Sequence, residues 1–336
     1  MRLRFWPRLG LPFFLTLLGL FFAFTLVAGI VLAEVTVHPE RKPLTPEDEA
    51  QARQATQAKG YALTDVTIAA SDGATLRAWS IRPPSGNGDA VLLLHGLSDN
   101  RTGMGGYAQL LLSHGYSVLM PDARAHGTSG GNLATFGLLE SDDIHRWVDW
   151  LQQKNGRAAD VPPGSTRPQP LPPGCVFGLG ASMGAAQLLQ SLPSEPRFCA
   201  VVADSPFASF REIGYDRVGQ RFNTGSWLGR TLLQPIIDFA FLYGRLKYHL
   251  NFEQISPQEA VLRTKVPVFL IHGKVDSNIP VRHADLIFAR DPAISLWEVP
   301  NADHCGAMNA APDEFRDRAL GWFVSHGQHA ADTGVF

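Results

Sequence analysis

From residue 61 onward, short and nearly continuous apolar runs alternate with longer segments whose apolar residues recur at helical spacing. The runs are AVLLLHG from Ala90, YSVLMPD from Tyr116, CVFGLG from Cys175, CAVVADSP from Cys199, VPVFLIHG from Val266 and ISLWEVP from Ile294. Runs of this length without polar alternation suit strands buried on both faces of a parallel sheet. Between them lie YAQLLLSHG, LESDDIHRWVDWLQQK, MGAAQLLQSL, VRHADLIFAR and DEFRDRALGWFVSH, each compatible with a helix. Strand and helix patterns in alternation predict repeated βαβ units, hence an α/β fold with a mostly parallel central sheet covered by helices on both faces. Ahead of them, VTIAASDGATLRAWS holds two β-rich runs around Ser71, Asp72 and Gly73, a hairpin pattern.

Two segments break the rhythm. The proline-dense AADVPPGSTRPQPLPPG, residues 158–174, cannot continue a helix and reads as an exposed connector. Residues 208–265 are far longer than an ordinary connection and carry their own helical pattern, WLGRTLLQPIIDFAFLYGRL. An inserted helical lid is the expectation there, with Trp227, Leu228, Leu232, Leu233, Phe239, Phe241 and Leu242 as lid or pocket surface.

The first 60 residues follow a different pattern. Residues 9–33 contain no charged side chain, and as a helix rising about 1.5 Å per residue they exceed a ~30 Å hydrocarbon core. Arg2, Arg4 and Arg8 fall in the basic segment 1–8, while acids and bases mix after the apolar run. This bias predicts a cytoplasmic N-terminus and a main body on the other side of the membrane. The competing expectation is a cleaved signal peptide, with Val31 and Ala33 as small residues before Glu34. Residues 34–60 are polar and read as a stalk with some helical character from Lys42 to Lys59, and 61–336 as the α/β domain.

Composition narrows the classes of partner. A chain of 336 residues with 45% hydrophobic content can bury one large core, and its net charge of -2 offers no basic excess for a phosphate backbone, so nucleic acid is not an expected partner. Cys175, Cys199 and Cys305 are too few and too scattered for a zinc set. Cys175 and Cys199 lie in strand-like runs and are expected as buried free thiols.

One motif carries chemistry. Gly180, Ala181, Ser182, Met183 and Gly184 form G-x-S-x-G after an apolar strand and before a helix, where the glycines permit a sharp turn and leave the serine at the sheet's edge. A serine helix cap in a glycine-rich turn is the bland alternative. A serine nucleophile needs a base and a group that orients the base. Downstream, VPVFLIHGKVDSNIP presents Asp276 after one strand and ISLWEVPNADHCGA presents His304 after the next, both at strand C-terminal ends where open α/β sheets bind ligands. Asp204, after the preceding strand in VVADSPF, is a competing acid. His95, His272 and His283 are weaker candidates for the base. The carbonyl oxygen that becomes an anion needs backbone donors: the Met183 N–H at the helix start, and the Leu97 N–H in LLLHGLSDN.

Together LLLHGLSDN, PDARAHGTSGG, GLGASMGAA, ADSPF, HGKVDSNIP and NADHCGA resemble, in order and spacing, the α/β-hydrolase superfamily, especially its serine-aminopeptidase-like and esterase- or lipase-like branch with an N-terminal membrane anchor. The resemblance covers residues 61–326. It implies Ser182, Asp276 and His304 as a triad, Leu97 and Met183 as oxyanion donors, a small-molecule ester or acyl substrate, and no cofactor or metal. Ala181 departs from the pattern, since many relatives carry a larger residue there. A peptidase or thioesterase on the same triad, and a non-catalytic binding domain of the same fold, are the competing functions.

Overall fold

The computed structural model of the chain describes residues 10–152 and 174–327. In chain order the α-helices of the described residues are α1 (Gly10–Val37), α2 (Pro46–Ala58), α3 (Gly105–Ser113), α4 (Glu140–Gln152), α5 (Met183–Ser191), α6 (Phe210–Arg221), α7 (Trp227–Arg230), α8 (Gln234–Tyr248), α9 (Pro257–Ala260), α10 (Arg282–Phe288), α11 (Ala307–Ala310) and α12 (Pro312–His326). The strands are β1 (Ala62–Ala69), β2 (Thr75–Arg82), β3 (Ala90–Leu94), β4 (Ser117–Pro121), β5 (Val176–Ala181), β6 (Phe198–Asp204), β7 (Val268–Gly273) and β8 (Ser295–Val299). The chain divides into two units, residues 38–210 with 254–336, and residues 1–37 with 211–253.

The larger unit is built on one eight-stranded sheet of order β1-β2-β4-β3-β5-β6-β7-β8. β1 and β2 form the expected antiparallel hairpin, β2 runs antiparallel to β4, and every later pairing is parallel. The strand order reverses at β3, which has β4 on one side and β5 on the other. In open α/β sheets that switch opens a crevice at the strands' C-terminal ends. Side chains alternate along β3: Ala90, Leu92 and Leu94 join one apolar cluster with Trp147 of α4 and Leu188 of α5. Val91 and Leu93 join the other, with Leu111 of α3 and Phe323 of α12. Both faces are therefore covered, which is why these strands read as unbroken apolar runs; each fully buried leucine contributes about 1.5–3 kcal/mol.

Buried ion pairs tie the loop after β4 to this frame. Asp122 accepts from the Arg101 backbone N–H at 2.8 Å, the Arg101 guanidinium at 2.7 Å and the Thr128 N–H at 2.7 Å. Arg124 donates to both carboxylate oxygens of Asp143 at 2.7 and 2.8 Å.

The structure departs from one sequence expectation in this unit. Cys175 and Cys199 are joined in a disulfide, not free thiols, because the parallel register of β5 and β6 brings their Cα atoms to 5.8 Å. Cys305 keeps a free thiol. In the polar segment 34–60, α2 opens with a capping box, the Asp48 N–H donating to Thr45 Oγ1 and the Thr45 N–H to the Asp48 carboxylate. Leu44 and Ala52 pack on the apolar cluster below. Most of the proline-dense segment, and the basic residues 1–8, lie outside the described residues.

The smaller unit joins α1 to α7, α8 and nearly all of α6, so the insert partners the N-terminal apolar helix. Thr25, Gly29, Ala33 and Val37 recur every four residues on the buried face of α1. A Cβ at Gly29 would lie 2.7 Å from Ile236 O and 2.9 Å from Ala240 N, so only glycine allows so close an approach of α1 to α8.

Candidate active site

β5 ends at Ala181 and α5 begins at Met183, leaving one residue to reverse the chain direction. That residue, Ser182, has φ 54° and ψ -116°, a region that side chains with a Cβ rarely occupy. The two motif glycines make the turn possible. A Cβ at Gly180 would lie 2.5 Å from Gly184 O, and one at Gly184 would lie 2.2 Å from Leu94 O. The Ser182 N–H donates to Asp204 O at 2.8 Å, which fixes the turn to β6.

β7 and β8 supply the other two groups. A Cβ at Gly273 would lie 2.2 Å from Ala302 O, so the loop after β8 passes directly over the end of β7. This crossing brings His304 to Asp276 although 28 residues separate them: Nδ1 lies 2.8 Å from Asp276 Oδ2, and Nε2 lies 2.8 Å from Ser182 Oγ. The carboxylate only accepts, so Nδ1 carries the proton and Nε2 is left to accept from the serine hydroxyl. Asp276 Oδ1 accepts from the N–H groups of Asn278 and Ile279 at 2.9 and 2.8 Å. Burial pushes the Asp276 carboxyl up, but hydrogen bonds from His272 and His304 outweigh it and hold the group well below the usual carboxylate range. It stays ionised beside the imidazole.

Asp204 is placed differently. It accepts from the Tyr107 hydroxyl at 2.9 Å and the Ser205 hydroxyl at 3.1 Å, is fully buried, and is pushed above the ordinary range by that burial. Its hydrogen bonds face β6 and α3, and His304 directs its own to Asp276. His272 is buried at the end of β7, with Nε2 2.8 Å from Ile279 O, and His283 Nδ1 accepts the Ala208 N–H at 3.0 Å.

Both candidate oxyanion donors flank the serine. Met183 is the first residue of α5, and a first-turn N–H has no acceptor within its own helix. The Leu97 loop leaves β3 through Gly96, whose Cβ, if it had one, would lie 3.5 Å from Ser182 Cβ. His95, which the sequence places in this loop with Gly96, holds it: Nδ1 lies 2.7 Å from Gly96 O, and Nε2 accepts the Ala123 N–H at 3.0 Å. The signal was a histidine directly before a glycine at a strand end. His126 stacks edge-on at 5.3 Å from His95. Among the described residues no group of three or more His, Cys, Asp or Glu side chains is placed to hold a metal ion.

The arrangement can deprotonate a hydroxyl as it attacks an electrophilic carbonyl, with backbone amides beside the carbonyl oxygen. Comparison with known proteins agrees with the fold. The model of the alpha/beta hydrolase family matches residues 91–318. The chain is 26% identical over 245 residues to the uncharacterised protein YqkD of Bacillus subtilis, covering 72% of each. It is 26% identical over 275 residues to the uncharacterised YfhR of Escherichia coli, covering 79% of this chain and 82% of that one. Among solved structures, esterase Pf2001 of Pyrococcus furiosus superposes with a TM-score of 0.63 at 25% identity, over 86% of this chain and 99% of that one.

Proposed function

The chain belongs to the alpha/beta hydrolase family, and on that premise we propose that it is a membrane-anchored serine hydrolase of carboxylic esters. One observation carries the reading: Asp276, His304 and Ser182 form a continuous hydrogen-bonded chain with two 2.8 Å links, ending on a serine held in a strained turn. In this reading Ser182 Oγ attacks the ester carbonyl as its proton passes to His304 Nε2. The Met183 and Leu97 amides hold the oxygen that becomes negative, and His304 then gives the proton to the departing alkoxide. Water, deprotonated by the same imidazole, releases the acid from the acyl-enzyme and restores Ser182. Asp276 keeps the imidazole in the tautomer this requires and stabilises it when charged.

Esters are favoured over peptides as substrates because the Pyrococcus relative, 25% identical over most of this chain, is an esterase. Retention of α1 as an anchor is supported by its packing. Cleavage after Ala33 would strip Gly29 from α8 and leave Tyr215, Leu233, Ile236 and Ile237 without the apolar cover that Phe21, Ala28 and Leu32 supply. The arginines that precede α1 favour a cytoplasmic N-terminus. The Cys175–Cys199 disulfide suits a body on the oxidising side.

The test uses the full-length protein in detergent. A fluorophosphonate probe is expected to label the wild type and leave Ser182→Ala unlabelled, because only an activated serine attacks phosphorus quickly. Turnover of p-nitrophenyl esters is expected to exceed that of aminoacyl anilides. Equal labelling of both proteins, or none of either, removes the hydrolase reading; an anilide with the highest kcat/KM makes it a peptidase.

A further inference from the structure

The membrane contact of this chain extends beyond α1. We propose that the tip of the insert, from the end of α6 through α7 to Leu232, is seated in the bilayer leaflet beside α1, with lipid as its partner. The proposal rests on the reading of α1 as a retained membrane-spanning anchor.

The length of α1 requires it. Residues 10–20 are exposed, and the first side chain packed on the insert is Phe21. That free stretch reaches about 16 Å, roughly half of a ~30 Å hydrocarbon core, and tilt only lengthens the path needed. Counted from Gly10, the crossing ends about at Gly29. The second half of the crossing is therefore made while α1 lies against Tyr215, Val218, Leu228, Leu233, Ile236 and Ile237.

The direction of packing sets which part of the insert is immersed. Gly29 meets Ile236, Phe239 and Ala240, and five residues later Glu34 accepts from Tyr243, Lys247 and Tyr248. α1 and α8 thus run parallel, and the start of α8 points toward the membrane-spanning end of α1. Charge marks the boundary. Asp238, paired with Arg211, and the Glu34–Lys247 pair belong to the level of Gly29 and above, where water and headgroups begin, while the carboxylates nearer the tip are covered, Glu212 by its pair with Arg230 and Asp216 by burial.

Below that level the insert has the surface a leaflet would cover. Trp227 is 60% exposed, Leu232 62% and Phe222 49%, each next to a residue that α1 itself reaches or to the end of α6. α1 beside them likewise exposes Leu20, Phe22, Phe24, Leu26 and Val27. From residue 217 to 232 the sequence holds Arg217, Arg221 and Arg230 and no Asp or Glu. Arg230 is paired with Glu212 over the Tyr215 ring, and Arg217 donates to Gln220, so what the segment turns outward is its aromatic and leucine side chains, the pattern of an interfacial lipid contact.

The experiment places a nitrobenzoxadiazole fluorophore on a single cysteine in the full-length chain, with Cys305→Ala removing the native free thiol. Proteoliposomes of phosphatidylcholine and phosphatidylglycerol carry doxyl quenchers at shallow or deep acyl positions. Probes go to Leu17→Cys on α1, to Leu232→Cys and separately Trp227→Cys on the insert, and to Asp317→Cys on exposed α12. The expected result is loss of most emission at Leu17, and at Leu232 and Trp227 with the shallow quencher stronger than the deep one, while Asp317 keeps its emission. Quenching at Leu17 with Leu232 and Trp227 as bright as Asp317 overturns the proposal and leaves the anchor standing. A bright Leu17 overturns the anchor reading, and the proposal with it.

Discussion

His95 Nε2 accepts the Ala123 N–H at 3.0 Å, which ties the loop after β3 to the end of β4 next to Ser182. Its Nδ1–H is committed to Gly96 O at 2.7 Å, so both ring nitrogens are used by the neutral form. Burial, reinforced by His126, holds its pKa down to about 4, below the 6.5 of a free histidine. A proton on Nε2 would face the Ala123 N–H.

Acid sensitivity follows from this pair. Between pH 6.5 and 4 the unfolded chain takes up a proton that folded His95 refuses, so stability falls as pH falls through that window, by up to about 3 kcal/mol. His95→Gln offers an acceptor to Ala123 and a donor to Gly96 without titrating. Urea unfolding of both proteins at pH 7 and pH 4.5 is expected to show the wild type losing distinctly more stability on acidification. Equal losses would remove His95 as the cause.

The two aspartates at neighbouring strand ends are expected to fail in different ways. Asp276→Asn allows the wrong imidazole tautomer and is expected to lower kcat by on the order of 10⁴ with KM little changed. Asp204→Asn disturbs the Tyr107 and Ser205 hydrogen bonds, at a cost of about 1–3 kcal/mol in stability. Its folded fraction is expected to keep kcat within about tenfold, the equivalent of ~1.4 kcal/mol. Melting curves and steady-state kinetics on both variants separate these outcomes, and an inactive, folded Asp204→Asn would reverse the assignment.

Glycine substitutions offer a paired test. Gly184→Ala sets a Cβ 2.2 Å from Leu94 O and 2.7 Å from His95 O, which forces the oxyanion loop away from α5. A loss of about 10²–10³ in kcat is expected, the scale of one misplaced oxyanion donor. Gly321→Ala, inside α12 with open space around it, is expected to stabilise by about 0.5–1 kcal/mol and leave kcat unchanged. Thermal melts and ester turnover read both.

Thiol titration checks the Cys175–Cys199 bond. Denatured without reductant, the protein is expected to show only the Cys305 thiol of its three cysteines. Replacing Cys175 and Cys199 together by serine is expected to cost about 3 kcal/mol, from the added freedom of the unfolded chain. Three titratable thiols in the untreated protein would contradict the bond.

Much of the fold and site was legible because its signals are local. The apolar runs from Ala90, Tyr116, Cys175, Cys199, Val266 and Ile294 hold the parallel strands β3 to β8, since a strand covered on both faces has no polar alternation to disguise it. Ser182 was legible for a similar reason: the turn from β5 to α5 demands Gly180 and Gly184 within four positions of each other. His95 was legible as part of the Leu97 loop, but not its partner, since the contact with Ala123, 28 residues away, is announced by no spacing.

By itself, then, the sequence determined the alternation of strands and helices, the strained serine turn and the apolar length of α1, all set by backbone dihedrals and burial within a few residues. Tertiary structure pairs His304 with Asp276 and not with Asp204, because the passage of the loop after β8 over Gly273 aims the imidazole at one carboxylate while Tyr107 and Ser205 occupy the other. It also joined Cys175 to Cys199 through the β5–β6 register and gave the insert to α1 through the missing side chain of Gly29. Each of these depends on which distant elements become neighbours, and that is fixed by the whole packing of strands and helices, not by any one segment's composition.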